Sequence, residues 1–388
     1  MHDIIDPDAF RIELRSWLEA NCPDEMRDGA ADDDNICWGG KYWKFASEAQ
    51  KQWLERCADQ GFTVPTWPRP FGGAGLDRAR EKVFHEEMGR INARPPLLSF
   101  GIWMLGPALL HFGTEDQKTH YLPPIARGEV RWCQGYSEPG AGSDLASLQT
   151  RCDDKGDHWL VNGQKVWTSY ADKADWIFAL VRTDRGAPKH KGISFVLMDM
   201  QSTGISTRPI KLISGASPFC ETFFDDVSVP KEQVVGDVNR GWDVAKYLLT
   251  HEREMISASG QGIGGGRSLG AVLSEDSGGL DDATLRAAAL RCEVDTLAIG
   301  LTLERYKDMA ETTGVGDASA MLKYVGTELN KRRHELLMAA GGSTALAWDG
   351  SHGARPADWL RTKANSIEGG TSEVMLSIVS RRVLGLPA

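Results

Sequence analysis

Apolar residues in the first third of the chain recur with the period of an α-helix. Between Phe10 and Leu18 they stand at i, i+4, i+7 and i+8, which places them on one buried helix face. Residues 43–57 have the same amphipathic pattern, and residues 78–90 and 102–112 indicate two further helices. We therefore expect a helical N-terminal domain over residues 1–130.

Two segments of this region lack a helical pattern. Residues 65–75 contain three prolines and three glycines, which exclude a helix and predict a long loop before a helix that begins near Asp77. The acidic run at residues 32–34 is expected to form a solvated surface turn.

The pattern changes to short strands between residue 131 and about residue 236. Residues 158–161 lead into Asn162 and Gly163, a dipeptide that favours a two-residue type I′ hairpin, and residues 164–168 return. Turn residues separate the segments at short intervals, which predicts a small antiparallel β-barrel as the middle domain. Further strands are expected at residues 176–181, 193–198 and 221–224.

The helical period resumes after Gly236 and continues to the end of the chain, with breaks at residues 260–266 and 274–279. A C-terminal helical bundle over residues 237–388 is therefore expected. Helices, a strand block and helices again predict an α+β multidomain fold with domains 1–130, 131–236 and 237–388.

The composition excludes several classes of protein. A chain of 388 residues with 41% hydrophobic residues is long enough for several packed units. Its net charge of −10 argues against nucleic acid or an anionic membrane as the main partner, because both require a basic surface. The sequence has neither a transmembrane-length apolar run nor a signal peptide pattern, so a cytoplasmic location is expected.

The cysteines predict no special chemistry. There are 7 of them, scattered along the chain without a Cys-x-x-Cys pair. Neither a disulfide framework nor a zinc site is supported, and no metal site is expected.

Small residues crowd together in the stretch from Gly135 to Arg151. Around Ser137 and Gly142 such a turn exposes backbone N–H groups to a flat or anionic ligand. An ordinary Pro-Gly turn into a strand explains the local sequence equally well. The stretch matches neither G-x-G-x-x-G nor the phosphate loop that ends in Gly-Lys-Ser/Thr.

A second block follows at residues 161–176 and contains Trp167, Thr168 and Ser169. The two blocks together resemble the acyl-CoA dehydrogenase family of flavoproteins, and the resemblance extends over residues 10–386. In that family they bracket the isoalloxazine ring of FAD and the CoA thioester, and the domain order is the one predicted here. The resemblance implies cofactor contacts at Gln134, Ser137, Gly142, Ser143, Trp167, Thr168, Ser169, Gly341, Gly342, Thr371 and Glu373.

The family's reaction requires a base that removes a proton from the carbon α to the thioester. Many members carry this base as a Glu in a C-terminal run resembling Ile-Tyr-Glu-Gly-Thr-Ser-Glu. Alignment of that run with residues 367–373 places Gly369 where the Glu would be and Glu368 at the Tyr position. Glu368 could act as the base only if the backbone shifted by one residue.

Glu252 is the favoured base. A branch of the family that resembles isovaleryl-CoA and long-chain dehydrogenases takes its base from an earlier helix with a Glu-Arg pair, here Glu252 and Arg253. Val244, Leu248 and Glu252 also form an i, i+4 row with Ile256, so the carboxylate lies in an apolar stripe. Desolvation there would raise its pKa and suit proton abstraction. The alternative is a half-exposed Glu paired with a nearby cation.

Gly369 keeps a role through its backbone. Family members hold the thioester oxygen with the N–H of this residue and a flavin ribityl hydroxyl, which stabilises the developing enolate charge. The absent side chain also leaves room for a branched or bulky acyl group.

A second departure concerns the FAD pyrophosphate. Many members bind the FAD pyrophosphate of a neighbouring subunit with an Arg-x-x-Phe-Gly segment and a Gln. In this chain the corresponding residues 266–275 lack Phe-Gly. The later run Gln-x-x-Gly-Gly has Met338 in place of the Gln, and Gly341 with Gly342 is equally a plain helix C-cap. We therefore hypothesise a sister subunit that supplies the missing groups in an α2β2 hetero-tetramer, with a homotetramer as the alternative.

The leading interpretation is an FAD-dependent acyl-CoA dehydrogenase that makes a trans-2-enoyl thioester and is reoxidised by an electron-transferring flavoprotein. The block at residues 135–151 looks most like that of bacterial dehydrogenases for steroid side chains and of paired pimeloyl-CoA dehydrogenase subunits. The alternatives are a non-catalytic subunit that shares an FAD site and a flavin oxidase.

Overall fold

The computed structural model describes residues 6–28, 36–258, 268–275, 281–310, 319–348 and 353–387, without the side chains of residues 250–258, 275, 307, 308 and 310. The chain divides into two compact units. Unit 1 comprises Met1–Pro209 and Phe219–Leu248, and unit 2 comprises Ile210–Pro218 and Leu249–Ala388. The predicted acidic turn at 32–34 and the predicted break at 260–266 lie outside the described residues.

The N-terminal helices largely follow the apolar pattern. Phe10, Leu14 and Leu18 are fully buried on one face of the first helix. The predicted helix over 43–57 is wrong at its start, because Ser47 caps the helix and accepts a hydrogen bond from the Gln50 N–H. The helices are α1 (Pro7–Asn21), α2 (Glu48–Asp59), α3 (Arg78–Arg90), α4 (Gly106–Phe112) and α5 (Glu115–Ala126), with a π-helical turn at Gly101–Leu105 before α4.

The middle region is a mixed open sheet, so the predicted antiparallel barrel is wrong. Its strands follow the order β6-β7-β3-β2-β4-β5-β8, while β1 pairs with β4. The pairs β1–β4 and β2–β4 are parallel, and β6 and β8 end the path instead of closing it. The strands are β1 (Trp132–Gly135), β2 (Arg151–Asp154), β3 (His158–Ser169), β4 (Trp176–Arg182), β5 (Ile193–Asp199), β6 (Ile205–Ile210), β7 (Phe219–Pro230) and β8 (Val234–Val235).

The predicted hairpin at Asn162 and Gly163 is also wrong. Both residues lie inside the single long strand β3, at an irregularity in its pairing with β7. A Cβ at Gly163 would lie 2.6 Å from the Thr150 hydroxyl oxygen, so the glycine permits close approach of the neighbouring chain. Asn162 exchanges hydrogen bonds with Asp226 across the irregularity. This dipeptide therefore marks a β-bulge and not a turn.

Unit 2 contains the predicted C-terminal helices. A hydrophobic cluster joins α7, α8 and α9 through residues such as Leu273, Cys292 and Leu329. No helix among the described residues is long and apolar enough to cross a membrane. The helices are α6 (Gly241–Ala258), which begins in unit 1, α7 (Leu269–Glu275), α8 (Ala283–Ala310), α9 (Ser319–Gly341), α10 (Arg355–Thr362) and α11 (Ser372–Ile378).

Candidate functional site

The glycine-rich loop after β1 is closed by a small backbone bridge. Glu138 and Ala141 exchange N–H to carbonyl hydrogen bonds of 3.0 Å in both directions. Beyond this bridge Gly142 and Ser143 are exposed, and a Cβ placed at Gly142 would have no heavy atom within 4 Å. The loop therefore presents open backbone on a fixed base.

The second block lies directly beside this loop. The Val166 N–H donates a 2.9 Å hydrogen bond to the Ser137 carbonyl oxygen, which joins the end of β1 to β3. The pairing of β3 with β7 is irregular between Lys165 and Thr168. There Trp167 has a φ of +60° and its side chain is 54% exposed, with Phe219 against its edge. Left-handed backbone is costly for a bulky residue, and such strain concentrates at ligand sites.

Two polar side chains near this junction have no hydrogen-bond partner within the described part of the chain. They are the Gln134 amide nitrogen Nε2 and the Thr168 hydroxyl Oγ1, and both atoms are buried. Gln134 lies on β1, while Thr168 is fully buried on β3 beside half-buried Ser169. Buried polar groups are usually paired, so both atoms are suited to a ligand.

A buried ion pair supports the loop from below. Lys165 Nζ lies 2.8 Å from Glu138 Oε1 and donates to the Tyr136 carbonyl oxygen at 3.1 Å, and the Lys165 side chain is fully buried. Glu138 also accepts hydrogen bonds from the N–H groups of Gln149 and Thr150. Burial lowers the pKa of Lys165 to about 8, and the Glu138 carboxylate opposes this shift. Burial also favours the neutral form of Glu138, but Lys165 and the hydrogen bonds hold the pKa of Glu138 below its ordinary value.

A basic cavity of about 280 Å³ lies beside the same loop. The buried Arg182 guanidinium donates to the carbonyl oxygens of Ala146 and Leu148, so that it holds the cavity wall. Arg185 and Lys189 line the cavity with side chains that are 58% and 47% exposed. Sequence reasoning missed this site, although the basic run at residues 189–191 was a visible signal.

In unit 2, Gly369 and Gly370 form a turn with φ values of +63° and +96°. Gly369 is exposed, and its N–H donates no hydrogen bond within the described part of the chain. Thr371 accepts a hydrogen bond from the Val374 N–H and caps α11. Glu373 is exposed in the first turn of that helix.

The Glu368 carboxylate is held by one guanidinium and one side-chain amide. Its carboxylate accepts hydrogen bonds from Arg361 Nη1 at 3.1 Å and Nη2 at 2.7 Å, and from Asn365 Nδ2 at 2.6 Å. The guanidinium occupies both carboxylate oxygens, so Glu368 would have to leave Arg361 before it could approach a substrate. This geometry disfavours Glu368 as the base.

The remaining predicted residues are described only in part. Glu252 lies in α6, and its side chain is outside the described residues. Val244 and Leu248, which precede it in the i, i+4 row, are almost fully buried. Gly341 ends α9, and Gly342 follows with a φ of +56°, as a helix C-cap requires.

Family models cover most of the chain. Acyl-CoA dehydrogenase N-terminal, middle and C-terminal domains match residues 35–129, 133–227 and 239–384. The chain is also 37% identical over 387 residues to acyl-CoA dehydrogenase IpdE1 of Mycobacterium tuberculosis, with 98% of each chain covered. The chain belongs to the acyl-CoA dehydrogenase family.

Solved structures of this family are similar along their whole length. A steroid ACAD named Tcur3481-Tcur3483 is 30% identical, with a TM-score of 0.77 and 99% of each chain covered. The ChsE4-ChsE5 complex from Mycobacterium tuberculosis is 28% identical, with a TM-score of 0.73 and 98% of each chain covered. The resemblance seen in the two sequence blocks is thus confirmed.

In this acyl-CoA dehydrogenase, the buried pair below the loop is expected to be essential for stability. Glu138→Ala leaves the Lys165 ammonium buried without a carboxylate, so we expect a loss of about 3 kcal/mol in the free energy of unfolding, measured by urea denaturation. Glu129→Ala removes an exposed partner of Arg127 and should cost less than about 1 kcal/mol. Similar losses in the two variants would contradict this account of the pair.

Proposed function

We propose that this chain is an FAD-dependent acyl-CoA dehydrogenase that converts a saturated acyl-CoA thioester to the trans-2-enoyl-CoA. The observation that carries the proposal is the junction of the two motif blocks at Val166 and Ser137, with unpaired polar atoms beside it. FAD, when bound, supplies the acceptor for the hydride that leaves the β carbon.

The residues at this junction fit a flavin. A flavin ring carries oxygen and nitrogen atoms along one edge and needs both donors and acceptors. Gln134 Nε2 and Thr168 Oγ1 are buried and lack partners within the described residues, so a bound ring would satisfy them. Gly142 and Ser143 leave open backbone in the loop that follows β1, and the Trp167 ring is exposed to make an aromatic contact. These residues would hold the cofactor, together with Ser137 and Ser169.

Glu252 is the proposed base. The buried residues Val244 and Leu248 precede it in the same row of α6, so the row is apolar where it is described. A carboxylate in such a row loses solvation and gains proton affinity, which suits removal of the α proton. Glu368 is instead held in an ion pair with Arg361.

The backbone N–H of Gly369 is the proposed donor to the thioester oxygen. It is exposed and forms no hydrogen bond within the described residues, so it is free to bind a ligand oxygen. Negative charge develops on this oxygen when the α proton leaves, and a fixed N–H stabilises that charge.

The phosphates of CoA are proposed to bind at the basic cavity. Arg185 and Lys189 are exposed cations there, each paired with a carboxylate, Asp153 or Asp144, that a phosphate would displace. The buried Arg182 fixes the wall. A net charge of −10 makes such a local patch necessary for a polyanionic ligand.

A bulky, branched or steroid-type acyl group is the proposed substrate class. The similar proteins include one described as a steroid ACAD. Gly369 contributes no side chain to the space beside the thioester, which favours a wide acyl group.

An electron-transferring flavoprotein is the proposed oxidant.

A homologous sister subunit is the proposed partner, in a tetramer with two copies of each chain. Four leucine and valine side chains on α8 are 62–65% exposed and follow a 4-3-4 spacing, opposite the face that packs in unit 2. This spacing is typical of a helix face that packs against another helix, which supports the proposal of a subunit contact here. The residues are Leu290, Val294, Leu297 and Leu301.

A non-catalytic subunit that shares an FAD site is the second candidate. The absence of the Arg-x-x-Phe-Gly segment and the presence of Met338 favour it. The unpaired Gln134 and Thr168 atoms favour a flavin site within this chain instead.

The choice of base can be tested by anaerobic addition of acyl-CoA to the purified flavoprotein. Glu252→Gln should slow bleaching of the flavin absorbance by about 10²- to 10⁴-fold, because a general base contributes this much. Glu368→Gln should retain most of the rate. If only Glu368→Gln abolishes bleaching, Glu252 is not the base. If no thioester bleaches the flavin of the chain, alone or with its partner, the non-catalytic subunit is favoured.

The CoA site can be tested with two substrates that share one acyl group. The double variant Arg185→Glu, Lys189→Glu should raise KM for the acyl-CoA about tenfold, because two exposed cations each contribute about 1 kcal/mol or less to binding phosphate. The acyl-pantetheine, which lacks the 3′-phospho-ADP part, should show no change. Lys155→Glu alters an exposed cation in the turn between β2 and β3 and serves as the control. An equal rise for both substrates would contradict the assignment.

The subunit interface can be tested by light scattering of this chain with and without its sister subunit. Leu297→Glu places a charge on the exposed apolar face of α8 and should dissociate the assembly, whereas Arg291→Glu lies about a quarter turn away and should leave it intact. A full homotetramer with FAD and activity from this chain alone would refute the hetero-oligomer.

A further inference from the structure

Helix α9 contacts both ends of the turn that carries Gly369. Four polar residues on α9, which we call the α9 clamp, face the segment from Asn365 to Ser372. They are Lys323, Glu328, Asn330 and Lys331.

The first end of the turn is held at Asn365. Lys323 Nζ donates to the Asn365 carbonyl oxygen at 2.8 Å, and Asn330 Nδ2 donates to Asn365 Oδ1 at 2.9 Å. Asn365 then donates to Glu368, whose carboxylate also pairs with Arg361. Both the backbone and the side chain of Asn365 are therefore fixed by α9.

The second end is held through Glu328. Its Oε1 accepts hydrogen bonds from Ser366 Oγ at 3.3 Å and Ser372 Oγ at 3.4 Å. Lys331 Nζ binds both oxygens of Glu328 at 2.9 and 3.0 Å and reaches Ser366 Oγ at 2.6 Å. One carboxylate thus bridges the residues before and after the two glycines.

Burying the Lys323 ammonium costs free energy of folding, which a purely structural contact would not require. Its side chain is only 2% exposed, and burial lowers its pKa, while the negative charges of Glu368 and Glu328 oppose this shift. Its hydrogen bond to Asn365 is made to a neutral carbonyl oxygen and not to a carboxylate. A buried ammonium is seldom stabilising compared with an apolar residue of the same size. Its benefit must therefore be sought in the geometry of the turn that it binds.

The turn needs external support because its centre is two glycines. Glycine has wide backbone freedom, so the orientation of the Gly369 N–H is not set by local conformational preference. We propose that Lys323 and Asn330 are positioning residues that fix this N–H for the thioester oxygen. The inference rests on the proposed function, because it requires Gly369 to be the donor.

Lys323→Met tests the clamp without leaving a buried charge. Hydrogen exchange of the peptide spanning residues 365–372 should become at least tenfold faster, because the turn loses its anchor. The rate constant of flavin bleaching should fall about tenfold, with a smaller change in substrate affinity, since a misplaced donor acts mainly in the transition state. The carbonyl stretch of bound enoyl-CoA should shift toward its value in free enoyl-CoA. Lys323→Arg should largely restore the wild-type hydrogen exchange, bleaching rate and carbonyl stretch.

Asp295→Asn is the matched control, because it removes an exposed ion pair between Arg332 of α9 and α8. It should leave exchange, bleaching and the carbonyl stretch unchanged. Unchanged exchange in Lys323→Met, or bleaching within twofold of the wild-type rate, would overturn the positioning role. If the wild-type protein is not bleached by any acyl-CoA, the proposed function fails, and the exchange comparison still decides whether the clamp orders the turn.

Discussion

The buried pair of Lys165 and Glu138 is the interaction on which the loop geometry in unit 1 depends. Lys165 reaches from β3 to the Tyr136 carbonyl oxygen, while Glu138 gathers the N–H groups that begin the return from the loop. Each charge is tolerated in the interior only because the other is present. The pair therefore fixes the register between the loop and β3, and with it the contact of Val166 with Ser137.

This arrangement separates rigid support from ligand contact. The charged groups that support the loop are buried and hydrogen-bonded to one another, whereas Gly142 is exposed and the buried Thr168 hydroxyl has no hydrogen-bond partner within the described residues. Trp167 is held in left-handed backbone by strand pairing on both sides, at Lys165 and Thr168. A strained aromatic residue persists only where its surroundings over-determine it. The sheet supplies that constraint, and this explains why the motif lies on a strand and not on a flexible loop.

Several of these features could be predicted from sequence, because they depend on local period and local capping. The buried face of α1 and the strands β4 and β5 follow from apolar spacing alone. The sheet topology could not be predicted, because alternation identifies the faces of a strand and not its partner, so the parallel pairing of β1 with β4 leaves no trace in the pattern. The hairpin predicted at Asn162 and Gly163 was wrong because a β-bulge and a hairpin use the same residue types. The ion pair of Lys165 and Glu138 and the α9 clamp are long-range contacts, which no single stretch of sequence reveals.

The turn at Gly369 gives a physical reason for the loss of the usual base position. With a φ of +63°, a residue with a Cβ would pay about 1–2 kcal/mol in backbone strain at this position. A carboxylate at 369 would thus oppose the same turn geometry that exposes the N–H. A backbone N–H survives substitution by glycine, whereas a side-chain carboxylate does not. Under the proposed function, glycine at 369 therefore suits a turn that presents its backbone, while the base is supplied by another element.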